Sequence, residues 1–157
     1  MRLAVLLAML ALSGAHADVI DAGAPGHVYN PTWSPDGKWL VYRTNDQEQG
    51  NGDIMGIRLG VDTAPRPLMA TNAEELSPAI SPDGHWIAYS SNESGTRQVY
   101  VRPFPETMSA VYQISAMGGI NPKWNRNGRE LFFLDGAFSM VSVPVTLGAS
   151  AVTGQAQ

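Results

Sequence analysis

The strongest constraint on this chain is that it repeats itself. Pro31-Thr-Trp33-Ser34-Pro35-Asp36-Gly37-Lys-Trp39-Leu40 aligns without gaps with Pro78-Ala-Ile80-Ser81-Pro82-Asp83-Gly84-His-Trp86-Ile87. A third copy, Pro122-Lys-Trp124-Asn-Arg-Asn127-Gly128-Arg-Glu130-Leu131, keeps the frame. The glycines stand 47 and then 44 residues apart. A period of about 40–50 residues with strand-like content points to the blades of a β-propeller.

The repeated word is turn chemistry. Proline presets φ at the second position of a type I turn, aspartate or asparagine tolerates the third, and glycine takes the positive φ that follows. The third copy drops proline and aspartate, yet Asn127-Gly128 keeps the same competence. Each corner is preceded by a short stretch holding Trp33, Ile80 or Trp124. Each is followed by a β-branched and aromatic run: 39–42, 86–90 and 130–134. A third, alternating strand is expected at 53–59, 98–102 and 139–143, and an outer fourth at 67–69 and 111–114. Four antiparallel strands per repeat is the blade pattern. The expected fold is therefore all-β, a partial propeller of about three blades, with Trp33, Trp39, Ile80, Trp86 and Trp124 as repeat core.

The combination P-x-W-S-P-D-G-K/H-W-L/I-A/V-Y resembles the TolB-type (WD-repeat-like) propeller repeat. The stretches VYVRPFPE (99–106), ISAMGGINPKWNRNGRELFFL (114–134) and VSVPV (141–145) are similar to the terminal part of such propellers. The resemblance covers residues 28–145. It implies a propeller fold. It leaves function open, because similar blades occur in TolB, in the propeller domain of prolyl oligopeptidase-family peptidases, and in sensor regions of bacterial kinases. The separate α/β domain that precedes the propeller of TolB has no counterpart before Val28.

A closed propeller has about 4–8 blades, so three leave open faces. The chain is either a piece of a longer propeller, one half of a homodimeric ring, or an open module completed by a partner. The small, polar segment TLGASAVTGQAQ (146–157), read as a flexible tail or the start of a missing blade, favours the first.

The N-terminus reads as a separate unit. Met1-Arg2 precedes the apolar run LAVLLAMLAL, and Ala15-His16-Ala17 has the A-x-A form of a signal-peptidase site. Ten apolar residues fall short of the ~20 a membrane span requires. Residues 1–17 are expected to be a secretory signal, 18–27 a linker and 28–145 the blades. Removal of Arg2 takes the formal charge from −4 to −5. An exported chain without cysteine uses no disulfides, which suits a bacterial periplasm or exterior. The mild acidity and lack of a basic stripe argue against nucleic acid as a partner.

No residue set announces chemistry. Ser34 and Ser81 precede Pro-Asp-Gly without a neighbouring histidine base, and no G-x-S-x-G elbow occurs. His85 stands where the first copy has Lys38, so it reads as solvent-facing. Asp36 and Asp83 read as caps of their own turns. The loop TNDQEQGNGD (44–53) offers oxygen ligands but lacks the spacing of a calcium loop. Arg97 and Arg102 read as a solvated strand face. Expected, then, are no catalytic residues, no metal and no cofactor. The turn residues Ser34, Pro35, Asp36, Gly37, Ser81, Pro82, Asp83, Gly84, Asn127 and Gly128 serve as scaffold. The sequence favours a non-enzymatic exported module that binds a protein, of the cell envelope if it behaves as TolB does. The alternative is part of the propeller of a prolyl oligopeptidase-family serine peptidase.

Overall fold

The computed structural model describes residues 27–45, 52–147 and 152–153. Every regular element among them is a β-strand. Blade 1 comprises β1 (His27–Trp33), β2 (Trp39–Asn45), β3 (Ile54–Arg58) and β4 (Arg66–Met69), hydrogen-bonded in that order. Blade 2 repeats this with β5 (Glu75–Ile80), β6 (Trp86–Ser91), β7 (Gln98–Pro103) and β8 (Tyr112–Gln113). Blade 3 follows with β9 (Ile120–Trp124), β10 (Glu130–Leu134), β11 (Met140–Thr146) and β12 (Val152–Thr153). All pairings are antiparallel. The chain is thus a partial propeller of three four-stranded blades. The expected signal segment, most of the linker and the centre of the 44–53 loop lie outside the described residues.

The fourth strand of blade 3 corrects the reading of the tail. Residues 146–157 were expected to lack a closing strand, yet Thr146 ends β11 and pairs with Val152, and Val145 pairs with Thr153. A two-residue strand is set by the edge it docks against, not by its own propensity.

Blades pack face to face through two apolar layers. In the first, Trp39, Val41, Ile54, Leu68 and Met69 meet Ile87, Tyr89, Tyr100 and Phe104. In the second, Trp86, Ala88, Val99 and Val101 meet Leu131, Phe133, Val143 and Val145. The middle strand β6 is buried along its whole length because it has a blade on each side. By contrast β10 alternates: Leu131 and Phe133 are buried, Phe132 and Leu134 only half so. No described sheet covers its second face. Trp39 and Trp86 are buried as expected of repeat core. Trp33, Ile80 and Trp124 are half-buried and lean on the edges of the layers. They end their strands at the corner, where Ile80 and Trp124 lean on layers shared with another blade and Trp33 on residues of its own.

Candidate functional site

The corners repeat one geometry. Gly37 N–H donates to the Ser34 carbonyl and Gly84 N–H to that of Ser81, both at 2.9 Å, and both glycines have positive φ. The Ser34 hydroxyl donates to Asp36 Oδ1 (2.5 Å) while accepting from Trp39 N–H (2.9 Å). Ser81 does the same with Asp83 and Trp86. These serines are therefore committed within their own turns. The Ser34 hydroxyl and the Lys38 N–H hold the Asp36 carboxyl below its usual range. Burial pushes Asp83 up, but the Ser81 hydroxyl and the His85 N–H outweigh it, so its net shift is also downward. In blade 3, Gly128 N–H donates to Asn125 and the Asn127 side chain accepts from Arg129 N–H. His85 is solvent-facing, its side chain 77% exposed beside Asp83.

What sequence reading missed lies on the inner strands. Each skips two residues in its ladder against one on the next strand: 30–31 against Tyr42, 77–78 against Tyr89, and 121–122 against Phe133. This is a β-bulge with a buried aromatic opposite it, in every blade. Asn30, Ser77 and Asn121 all have positive φ (49°, 53° and 55°), and each is followed by proline. Proline has no N–H to donate, so a bulge is where a strand tolerates it. Asparagine enters the left-handed region more readily than most residues, and serine less so. Inner strands of successive blades touch each other, β1 against β5 and β5 against β9. Across the second of these boundaries Ser77 Oγ donates to Asn121 Oδ1 at 2.8 Å. The bulge thus recurs at an equivalent place on each inner strand, and a side-chain bond links the second to the third. Its signal in the sequence was the dipeptide series Asn-Pro, Ser-Pro, Asn-Pro.

A second cluster stands at the end of the blades opposite the corners. Glu74 accepts from Arg43 (2.8 Å) and from Arg97, bridging blade 1 to the β6–β7 loop, and its N–H donates to Asn92 Oδ1. Beside it, buried Glu75 accepts from the Thr71 hydroxyl. Burial pushes Glu75 up, and the charges of Asp53 and Glu93 add to the shift. Arg102 is not on a solvated face. Its side chain is largely buried, donates to the Tyr89 hydroxyl at 2.6 Å and lies 5.7 Å from the centre of that ring, with Glu93 at 3.7 Å. A blade sheet buried on both faces leaves it no solvent to reach. Burial raises the Tyr89 phenol above its usual range despite Arg102.

The same end displays apolar groups. Gly136 N–H donates to the Met117 carbonyl, which ties the 114–119 connector to the β10–β11 turn. From these two segments Met117, Phe138 and Met140 project 86%, 73% and 75% exposed. Phe138 has φ +61°, a conformation that a bulky side chain pays for. Among the described residues no group of three or more His, Cys, Asp or Glu side chains is placed to hold a metal. No described helix is long and apolar enough to cross a membrane.

The family model of the TolB β-propeller domain matches residues 5–152. The chain belongs to that family. Among solved structures, a protein assigned as TolB from Agrobacterium tumefaciens superposes with a TM-score of 0.58 at 24% identity, over 83% of this chain and 49% of its own. TolB from Acinetobacter baumannii gives 0.58 at 16% identity, over 80% and 31%. The β-propeller domain of the Trilobed protease from Pyrococcus furiosus gives 0.55 at 17% identity, over 82% and 43%. The chain therefore spans half or less of the length of these relatives. No curated protein matches it. These likenesses concern the fold, which a TolB protein and a protease share.

Proposed function

We propose that this TolB-type module is non-enzymatic, is exported, and docks another protein through the end of the blades that carries Met117, Phe138 and Met140. The observation that carries the reading is Phe138. An aromatic side chain held in solvent, in a strained backbone conformation, at the tip of a tight turn has no folding rationale. Rigid aromatic side chains on loops are what interfaces use as anchors. Arg97, partly exposed and tied to Glu74, supplies a fixed cation at the same end. The apolar run and A-x-A site in residues 1–17 support export, and a partner in the cell envelope follows by analogy with TolB.

The test is site-specific photo-crosslinking in the exporting cell. A photoreactive residue at 117 or 138 should capture one discrete partner, and the same probe at His85, on the opposite end, should not. Equal capture from both ends would remove the reading.

A second reading is favoured by the similarity to the Trilobed protease propeller: the blades belong to a peptidase. A covalent serine-hydrolase probe that labels a polypeptide containing these blades would establish it.

A further inference from the structure

We propose that Met117 is a reversible oxidation site, and that a peroxide, by converting it to the sulfoxide, switches off the docking proposed above. The switch rests on that docking, whereas the oxidation rests on the fold alone. The chain has seven methionines and no cysteine, so thioethers are its only sulfur. The fold sorts the described ones by access to water. Met69 is in the core and Met55 is half-buried. Met108, Met117 and Met140 stand in solvent, Met117 the most exposed of the three. Met108 follows β7 at the corner end, away from the proposed docking surface. Met117 lies on the connector between blades 2 and 3, and its carbonyl holds Gly136, which precedes Phe138 in the same turn.

The backbone under Met117 cannot yield to hide it. Gln98 Oε1 accepts from the Ser115 hydroxyl at 2.6 Å and from Gly118 N–H at 3.2 Å. The Ser115 hydroxyl in turn accepts from Val99 N–H at 2.8 Å, and Gly119 N–H donates to the Arg97 carbonyl at 2.9 Å. A β-carbon on Gly118 would stand 3.0 Å from Gly136 N, so two backbones already touch there. Every one of these bonds is made by groups other than the Met117 side chain. An oxygen added to its sulfur therefore meets water and leaves the blades intact, whereas oxidation of Met69 would require the core to open.

The chemistry closes with hydrogen peroxide as oxidant. A sulfur lone pair attacks one peroxide oxygen, the O–O bond breaks, and the departing hydroxide takes the remaining proton and leaves as water. Sulfur loses two electrons and the peroxide gains them. A sulfoxide reductase running on two thiols reverses the step, giving water and a disulfide. The sulfoxide is polar and chiral where the thioether was apolar. A partner pocket shaped for the thioether must then desolvate the S–O dipole without a donor to offset it.

The test uses the purified chain with a photoreactive residue at 138. It is treated with hydrogen peroxide, quenched with catalase and returned to envelopes of the exporting cell. Peptide mass mapping should find sulfoxide at Met117 while Met69 stays reduced, with circular dichroism unchanged. Capture should fall about tenfold or more, in step with sulfoxide at Met117 rather than at Met140. It should return after treatment with sulfoxide reductases for both epimers and dithiothreitol. The ratio of treated to untreated capture should stay near one within Met117→Leu, and should fall within Met108→Leu as in the wild type. If Met117→Leu does not dock, the in-step loss and its reversal in Met108→Leu decide. No capture from the untreated chain overturns the docking itself, and the switch with it. Capture that survives full oxidation of Met117, or that falls equally in Met117→Leu, overturns the switch alone. Oxidation of Met117 no faster than that of Met69 overturns the site.

Discussion

Pro82 packs on Gly128 across the second blade junction as Pro35 packs on Gly84 across the first, each at ordinary van der Waals distance from a would-be β-carbon. The glycines are therefore required by their positive φ and not by lack of room. Gly84→Ala should cost about 1 kcal/mol, the left-handed penalty alone. Gly119→Ala is the contrast, since its β-carbon would lie 2.6 Å from Ser115 Oγ and 2.8 Å from a Val99 methyl. It should cost ~2 kcal/mol or more, because these are buried partners in a packed interior. Urea denaturation of both variants checks the order.

Ser81→Ala removes the acceptor of the buried Trp86 N–H. An unsatisfied buried donor costs about 1–3 kcal/mol, so the melting temperature should fall by roughly 2–12 °C. The variant should also lose part of the acid sensitivity of the wild type. Asp36 and Asp83 have folded-state pKa values below their ordinary ones. Their contribution is present above the ordinary carboxylate range and is lost as pH falls through the depressed values. Without the Ser81 hydroxyl, Asp83 titrates nearer its ordinary value and that loss shrinks.

Glu75 acts in the opposite direction. Its folded-state pKa is raised, so it favours the folded state most below the ordinary glutamate value of about 4.3 and loses that contribution as pH climbs through the raised one. Glu75→Gln keeps an oxygen for Thr71 and cannot ionise. The variant should match the wild type in acid and exceed it at neutral pH. Chemical denaturation at several pH values gives the comparison.

Phe138→Gly should stabilise the chain by about 0.5–1 kcal/mol. It relieves a left-handed backbone at a residue that buries little. The same change should abolish the crosslinking expected from position 117 if Phe138 anchors a partner. A gain in melting temperature together with loss of capture is the signature of strain kept for function.

The blades were legible because the corner chemistry is local: Ser-Pro-Asp-Gly states its turn within four residues, and Trp39 and Trp86 follow at fixed distance. The inner-strand bulges were present in the letters as well. A proline inside a strand is a bulge signal, and Pro31, Pro78 and Pro122 recur in register, but reading them as repeat starts hid it. Other features needed the third dimension. Arg43 and Arg97 meet on Glu74 from two different blades. Arg102 finds Tyr89 only because β6 and β7 pair in register. The strand at Val152–Thr153 is too short to announce itself and exists because β11 offers an edge.

The bonds that cross between blades have a consequence for how the molecule comes apart. The Thr107 hydroxyl holds a carbonyl of blade 1 and the Trp124 indole a carbonyl of blade 2. No blade can peel away without stranding an acceptor on the sheet it leaves. Melting should therefore be a single concerted event, with indole emission and backbone dichroism changing together.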